Sequence, residues 1–311
     1  MEDRKRILAE IAFMFYEEGL TQVEISKRMM LSRPTVAAML KEAKKTGVVK
    51  IIIQSDEYNF LQKQAMLCEK YGLETVQITS YKGEELTKQS IGTLCANFIE
   101  DRISHIQCLG IGWGTTLFEF VNATRYLNAP QLKIIPLIGG GGYSNVNFHS
   151  NVLAFSLAKK YDCQANFFYA PAIAENITMK NTFEESGLVK EVMEEGKTVD
   201  VAVIGVGNPQ KSATYRKLQY FSEEESDEIR KKRIVGDVLT SFYDDNGIVQ
   251  KLHFTDRMIG QSLDDLKKIK EVVVVASGLD KYESLKGILN LGLVNHLIVD
   301  DLNANQLLLD E

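Results

Sequence analysis

The sequence predicts an α/β protein in two parts: a short N-terminal helix-turn-helix unit of winged type, then a Rossmann-like mixed-sheet α/β domain. Three observations predict it. Two short helical patterns, each opened by a Ser or Thr, fall within residues 21–46. From about residue 58 onward, apolar runs of strand length alternate with stretches of helical period. Charge divides the chain near the same place. Residues 1–54 hold ten Lys and Arg against seven Asp and Glu, a net of +3, so a chain of −6 overall carries −9 in the remainder. The expected parts are residues 1–55 and 56–311.

In the first part, Thr21 with Glu24 three residues on fits a capping box and starts a helix whose apolar face is Val23, Ile25 and Met29. Met30-Leu31 closes a turn, Ser32 offers a second N-cap, and Pro34 is tolerated because its missing amide hydrogen falls in the first turn. The second helix buries Val36, Leu40 and Ala43, which turns Arg33, Thr35, Ala37, Ala38 and Lys41 outward. Gly47 stops it, and Val48 to Ile53 reads as a strand. A helix pair of this form lays its second helix in the DNA major groove, so Thr21, Gln22, Ser32, Arg33, Thr35, Ala37, Ala38 and Lys41 are the candidate contacts. An ordinary helical hairpin has the same local pattern. The basic head on an acidic body favours DNA, docked locally and through at least two copies.

In the second part a helix is expected over residues 58–71. Strands follow over 74–79, 106–111, 132–137, 165–169, 199–204, 272–276 and 295–299, with helices over 84–102, 115–126, 147–161, 189–195 and 281–290. Runs such as Val272-Val-Val-Val-Ala276 are apolar throughout, the mark of strands covered on both faces. Residues 238–251, two β-rich runs around Asp245-Asn246-Gly247, read as a hairpin and make the sheet mixed.

Ligands of open α/β sheets lie beyond the carboxyl ends of the strands, and three loops there are informative. Gly112-Trp113-Gly114-Thr115-Thr116 opens a helix with small residues whose amides and hydroxyls suit an anion, although a tight turn alone also explains the glycines. It is not a dinucleotide fingerprint, because Thr115 stands where GxGxxG needs its third glycine. The run from Gly139 to Asn145 reads either as close backbone approach to a ligand or as a mobile surface loop. Gly278 turns the chain ahead of Lys281, a cation at a helix N-terminus, where an anion would account for it.

Composition excludes other classes. With 45% apolar and 25% charged residues the chain is globular. It has no leader-like N-terminus and no apolar run approaching about 18 residues, so no membrane association and a cytoplasmic location are expected. Cys68, Cys95, Cys108 and Cys163 lack CxxC spacing and read as buried free thiols. His105, His149, His253 and His296 lack ligand spacing, so no metal is expected, and no cofactor either.

Taken in order, several segments resemble the SorC family of bacterial sugar-responsive transcriptional regulators. They are Thr21-Gln-Val-Glu-Ile-Ser with Gly47-Val-Val49, Gly112 to Thr116, Pro136 to Gly140, Val203-Ile-Gly-Val-Gly-Asn-Pro209, Gly236-Asp-Val with Phe242-Tyr-Asp244, and Gly278 to Lys281. The resemblance covers residues 5–309. It implies a C-terminal domain like the sugar-phosphate isomerases and deaminases, kept as a sensor of a sugar or phosphorylated sugar. By position Gly112, Trp113, Gly114, Thr115 and Thr116 would hold the phosphate or polar end, with charge from Lys281 beside Gly278. Gly139, Gly207 and Asp244 would line the sugar side. Operator DNA and a homo-oligomer, dimer or tetramer, are the further partners implied. Two departures narrow this. Ala37 and Ala38 replace the polar side chains of many relatives, which favours thymine-methyl contacts. Ile138 is apolar where some relatives offer a basic residue, which disfavours a bis-phosphorylated effector.

The rival is an isomerase or deaminase with an added head. Such chemistry needs a placed acid and base. Asp237, Asp244, Asp245 and His149 show no defining spacing, so no catalytic residue is expected.

Overall fold

The computed structural model describes residues 2–50, 56–141, 146–211 and 221–310. The chain divides into two compact units, Met1–Tyr58 and Asn59–Glu311.

The first unit holds α1 (Glu2–Tyr16), α2 (Gln22–Arg28) and α3 (Arg33–Lys45). Thr21 N donates to Glu24 Oε2 at 2.8 Å and Glu24 N to Thr21 Oγ1 at 3.3 Å, closing the capping box. Ser32 Oγ accepts from Thr35 N at 3.2 Å, with Pro34 in the first turn of α3. Leu8, Ile11 and Met14 of α1 pack on Ile25, Val36, Met39, Leu40 and Ala43. Nothing in the sequence reading anticipated α1, whose Leu8, Ile11 and Met14 complete the core of this unit. Val23 is a correction: it is 45% exposed. At 100° per residue it lies about 200° around the helix from Ile25, whereas Met29 lies only about 40° away. Gly47, at φ 74°, follows α3. Of the wing strand expected over 48–53, residues 48–50 form none, and 51–53 lie outside the described residues.

The helix α4 (Asp56–Tyr71) begins at the last residues of the first unit, and the second continues with β1 (Thr75–Thr79), α5 (Glu84–Glu100), β2 (Cys108–Ile111), α6 (Thr115–Ala123), β3 (Lys133–Pro136), α7 (Ser150–Tyr161) and β4 (Gln164–Ala165). There follow α8 (Ile177–Glu185), α9 (Gly187–Gly196), β5 (Val201–Gly205), α10 (Glu223–Lys231), β6 (Gly236–Val238) and β7 (Ser241–Tyr243). It ends with α11 (Leu263–Leu266), β8 (Glu271–Ala276), α12 (Tyr282–Asn290), β9 (His296–Asp300) and α13 (Asp301–Leu309).

Seven of these strands form one sheet in the order β1-β9-β8-β5-β2-β3-β4, and every pair in it is parallel. The α/β class stands, but the mixed character is distributed differently from the expectation. The antiparallel pair β6–β7 is a separate ribbon rather than part of the sheet. It turns at Leu239, which takes φ 52°. The turn expected at Asp245-Asn246-Gly247 is also present, closed by a bridge between Tyr243 and Val249. One expected strand is shorter: residues 166–169 leave the sheet after Asn166 N donates to Ile134 O. The side chain of Asn151 then takes both polar groups of Phe168, its Oδ1 accepting from N at 2.8 Å and its Nδ2 donating to O at 3.0 Å. An amide side chain thereby stands in for a neighbouring strand.

Alternation along the strands feeds two cores. Val273 and Val275 join Leu109, Ile111, Val201 and Val203 under α5, α6 and α7, while Val272, Val274, Ala202 and Ile204 face the other layer. Burial on both faces is why these strands read as continuous apolar runs. Of the cysteines only Cys95 is fully buried; Cys68, Cys108 and Cys163 are half-buried free thiols.

Candidate functional site

The chain runs outward from β2 to β3 and β4, then returns to β5 on the other side of β2 and continues to β8 and β9. That reversal leaves a crevice where the loops after β2 and β5 part in opposite directions, the usual ligand position in such sheets. A cleft of about 520 Å³ lies there.

Its β2 side is the loop 113–116. Gly114 takes φ 120°, in the left-handed region that favours glycine, and its N–H donates to Phe148 O at 3.0 Å. The helical ladder of α6 begins with Phe118 N donating to Gly114 O at 3.0 Å, so the amides of Thr115, Thr116 and Leu117 lie ahead of it. No acidic residue occupies that first turn. Amides and hydroxyls at the positive end of a helix dipole make an anion site.

On the β5 side, Gly205, Val206 and Gly207 line the cleft. Gly207 pairs with Asp237 of the ribbon, N to O at 2.9 Å and back at 3.1 Å. A Cβ at 207 would stand 2.1 Å from Asp237 Oδ1, so the glycine gives that buried carboxylate its place.

On the β8 side, Gly278 takes φ 109° and donates its N–H to Asp300 Oδ2 at 2.9 Å, while Asn303 Nδ2 donates to Gly278 O at 2.9 Å. The loop is thereby fixed to the start of α13. Lys281, with a side chain 17% exposed, has Asp280 as its ion-pair partner at 3.9 Å, too long for a hydrogen bond. Lys88 and Lys211, the other cations lining the cleft, have closer partners in Glu84 at 2.6 Å and Glu283 at 3.1 Å.

Of the effector residues expected from sequence, the cleft gathers Trp113, Gly114, Thr115, Thr116, Gly207, Gly278 and Lys281. Three lie elsewhere. Gly112 is buried behind the loop, where a Cβ would touch Leu117 and Leu239 at 3.4 Å. Gly139 does approach backbone closely, but that of Pro171, whose carbonyl oxygen is 2.5 Å from a Cβ placed there, and it donates to Ile259 O. Residues 142–145 of its loop lie outside the described residues. Asp244 closes the turn at Asn246: its Oδ1 accepts from the amides of Asn246 and Ile248 at 3.0 Å and its Oδ2 from Gln250 Nε2 at 2.9 Å.

Tyr81, Glu84, Lys88, Phe148 and Lys211 line the cleft without having been anticipated. For three of them a signal was present, because residues 80–88 follow the carboxyl end of β1 and open α5, where the same rule would have led. Asp237 is the one acid–base candidate of the enzyme reading in the cleft wall; Asp244 and Asp245 belong to the turn, and the His149 ring is 6.5 Å from that of Trp113. Among the described residues no cluster of His, Cys, Asp or Glu is placed to hold a metal ion, and no helix is long and apolar enough to cross a membrane.

In the first unit Thr21, Ser32, Arg33, Thr35, Ala38 and Lys41 are exposed, while Gln22 and Ala37 are half-buried. Lys27 and Arg28 sit in the last turn of α2 and Lys44 and Lys45 in that of α3.

A family model described as "Putative sugar-binding domain" matches residues 57–309. The chain is 27% identical to the deoxyribonucleoside regulator of Bacillus subtilis, over 99% of both chains, and 26% identical to the sorbitol operon regulator of Klebsiella pneumoniae, over 98% of both. Among solved structures, a DeoR family transcriptional regulator from Listeria monocytogenes superposes with a TM-score of 0.75 at 35% identity, covering 80% of this chain and 99% of that one. The full-length sorbitol operon regulator SorC from Klebsiella pneumoniae gives 0.78 at 25% identity, covering 98% and 99%. The chain therefore belongs to the SorC family of transcriptional regulators with a sugar-binding domain.

Proposed function

We propose that the cleft takes a sugar or phosphorylated sugar and that its occupation controls how a homo-oligomer of this chain binds operator DNA in the cytoplasm. The observation that carries the reading is the meeting, at one crevice, of the first-turn amides of α6, the hydroxyl-bearing residues Thr115 and Thr116, and the loosely paired Lys281. An anionic end held by amides and a cation, with neutral hydroxyls further in, is the chemistry of a sugar phosphate. A sensor is preferred to an enzyme because the relatives similar over nearly the whole chain are named as transcriptional regulators.

A bound effector moves the DNA-binding equilibrium only by its differential affinity for the two states, so operator DNA changes effector affinity by the same factor. The test measures binding of the full chain to its own upstream DNA, with and without a panel of ribose, glucose, fructose, sorbitol and their monophosphates. One panel member should change DNA affinity, and DNA should change that member's affinity equally. Lys281→Met should weaken a phosphorylated binder about tenfold and its unphosphorylated form much less. Turnover of any panel member would instead establish the enzyme reading.

A further inference from the structure

Among the described residues six serines and threonines are buried: Thr87, Thr124, Ser150, Ser241, Ser277 and Ser284. Five are occupied with the protein itself. Thr87, Thr124, Ser150 and Ser284 donate to the carbonyls of Gly83, Phe120, Ile138 and Val235, and Ser241 accepts from Leu263 N. The hydroxyl of Ser277 has no hydrogen-bond partner. A buried polar group left unmatched is costly, and natural proteins keep few that lack a role.

Ser277 lines the cleft at the residue following β8, where a strand of valines gives way to the loop leading to Lys281. Both backbone groups of its neighbour Gly278 are already spent, on Asp300 and Asn303. The Ser277 hydroxyl is thus a polar group left over in a wall that Asp237 and Asp280 also line. An uncharged hydroxyl suits an alcohol, which can give one hydrogen bond and accept another. β5 separates β8 from β2, so Ser277 is two strand spacings, about 9.5 Å, from the strand that leads to Thr115 and Thr116. A monosaccharide phosphate extended across the cleft spans such a gap. The three staggered wells of χ1 let Oγ meet an occupant while the pinned backbone stays in place.

We propose that Ser277 is a specificity-determining contact of this cleft, its Oγ hydrogen-bonded to a sugar hydroxyl at the end remote from Thr115 and Thr116. The assignment rests on the reading of the cleft as a sugar site.

The test uses the full chain and its Ser277→Ala variant against the panel above, followed by single-position deoxy analogues of the panel member that binds best. Without sugar, the variant should melt at or above the wild-type temperature, since only an unmatched hydroxyl is removed. With the best binder it should lose about tenfold in affinity. One deoxy analogue should bind both proteins alike, identifying the hydroxyl that Ser277 meets. A ligand-free melting temperature several degrees lower would mean a structural role and overturn the assignment. Unchanged affinity for a sugar that binds the wild type would overturn it while leaving the sugar reading intact. Failure of every panel member to bind the wild type would reject the sugar reading, and this assignment with it.

Discussion

A Cβ on Gly92 of α5 would stand 2.4 Å from the carbonyl carbon of Glu119 and 2.7 Å from Phe120 N, both backbone atoms of α6. No rotamer change can relieve that contact. Gly92→Ala should therefore force the two helices apart at a cost of roughly 1–3 kcal/mol, displace the amides at the start of α6, and weaken sugar binding. For Gly110→Ala the nearest atoms are side-chain carbons of Leu137, at 2.8–3.1 Å, which can turn away. Its urea midpoint should fall less, and equal losses would refute the distinction between backbone and side-chain contact. The same distinction governs what the sequence revealed. Gly114 and Gly278 were legible because a positive φ at a strand-to-helix loop is a local requirement. Gly139 was not, because its surroundings come from Pro171 and Ile259, and local pattern holds no record of distant partners; Asp244 is spent within its own turn, on Asn246, Ile248 and Gln250, the local role an Asp beside Asn-Gly commonly takes.

Among the elements, the helix pair was the most readable, since its caps are set within four residues. Ser32→Ala should lower the stability of the first unit by about 1 kcal/mol, read from helical signal on heating. Lys41→Ala should leave that signal unchanged and reduce the slope of log binding constant against log salt by about one, the signature of a lost phosphate contact. An unaltered slope would place Lys41 away from DNA. Less readable were α1, which lacks a distinctive cap pattern, and the β6–β7 ribbon. Its turn at Leu239 has no Asn-Gly or Asp-Gly to announce it, and Gly236 is needed there because a Cβ would strike the Tyr243 ring at 2.3 Å.

Across the whole molecule, the end of the sheet opposite the cleft holds an ionisable group that the proposed function does not use. His296 is buried at the start of β9, its Nδ1 2.9 Å from Thr75 Oγ1, its ring 4.8 Å from Phe98 and its Nε2 3.3 Å from Glu271. Burial pushes its pKa below the ordinary 6.5, and the charges of Glu74 and Glu271 offset this only in part. Because the unfolded chain takes up the proton first, stability due to the neutral ring is complete above pH 6.5 and declines as pH falls toward the depressed folded value. Urea midpoints should therefore drop between pH 6.5 and 5 in the wild type and drop less in His296→Gln; parallel curves would exclude this histidine as the cause.

The parallel pairing of β1 with β9 joins Thr75 to His296, 221 residues away. On a ribosome adding 5–20 residues per second, β1 would emerge on the order of 10–40 s before the strand beside which it belongs. The helices α1, α2 and α3 need no such wait, since their core contacts lie within the first unit. During that interval β1 is an unpaired edge, the kind of segment that recruits other chains. Its Thr-Val-Gln-Ile-Thr alternation keeps polar residues on one face, unlike the valine run of β8, and so makes the strand that waits longest a poor template for aggregation.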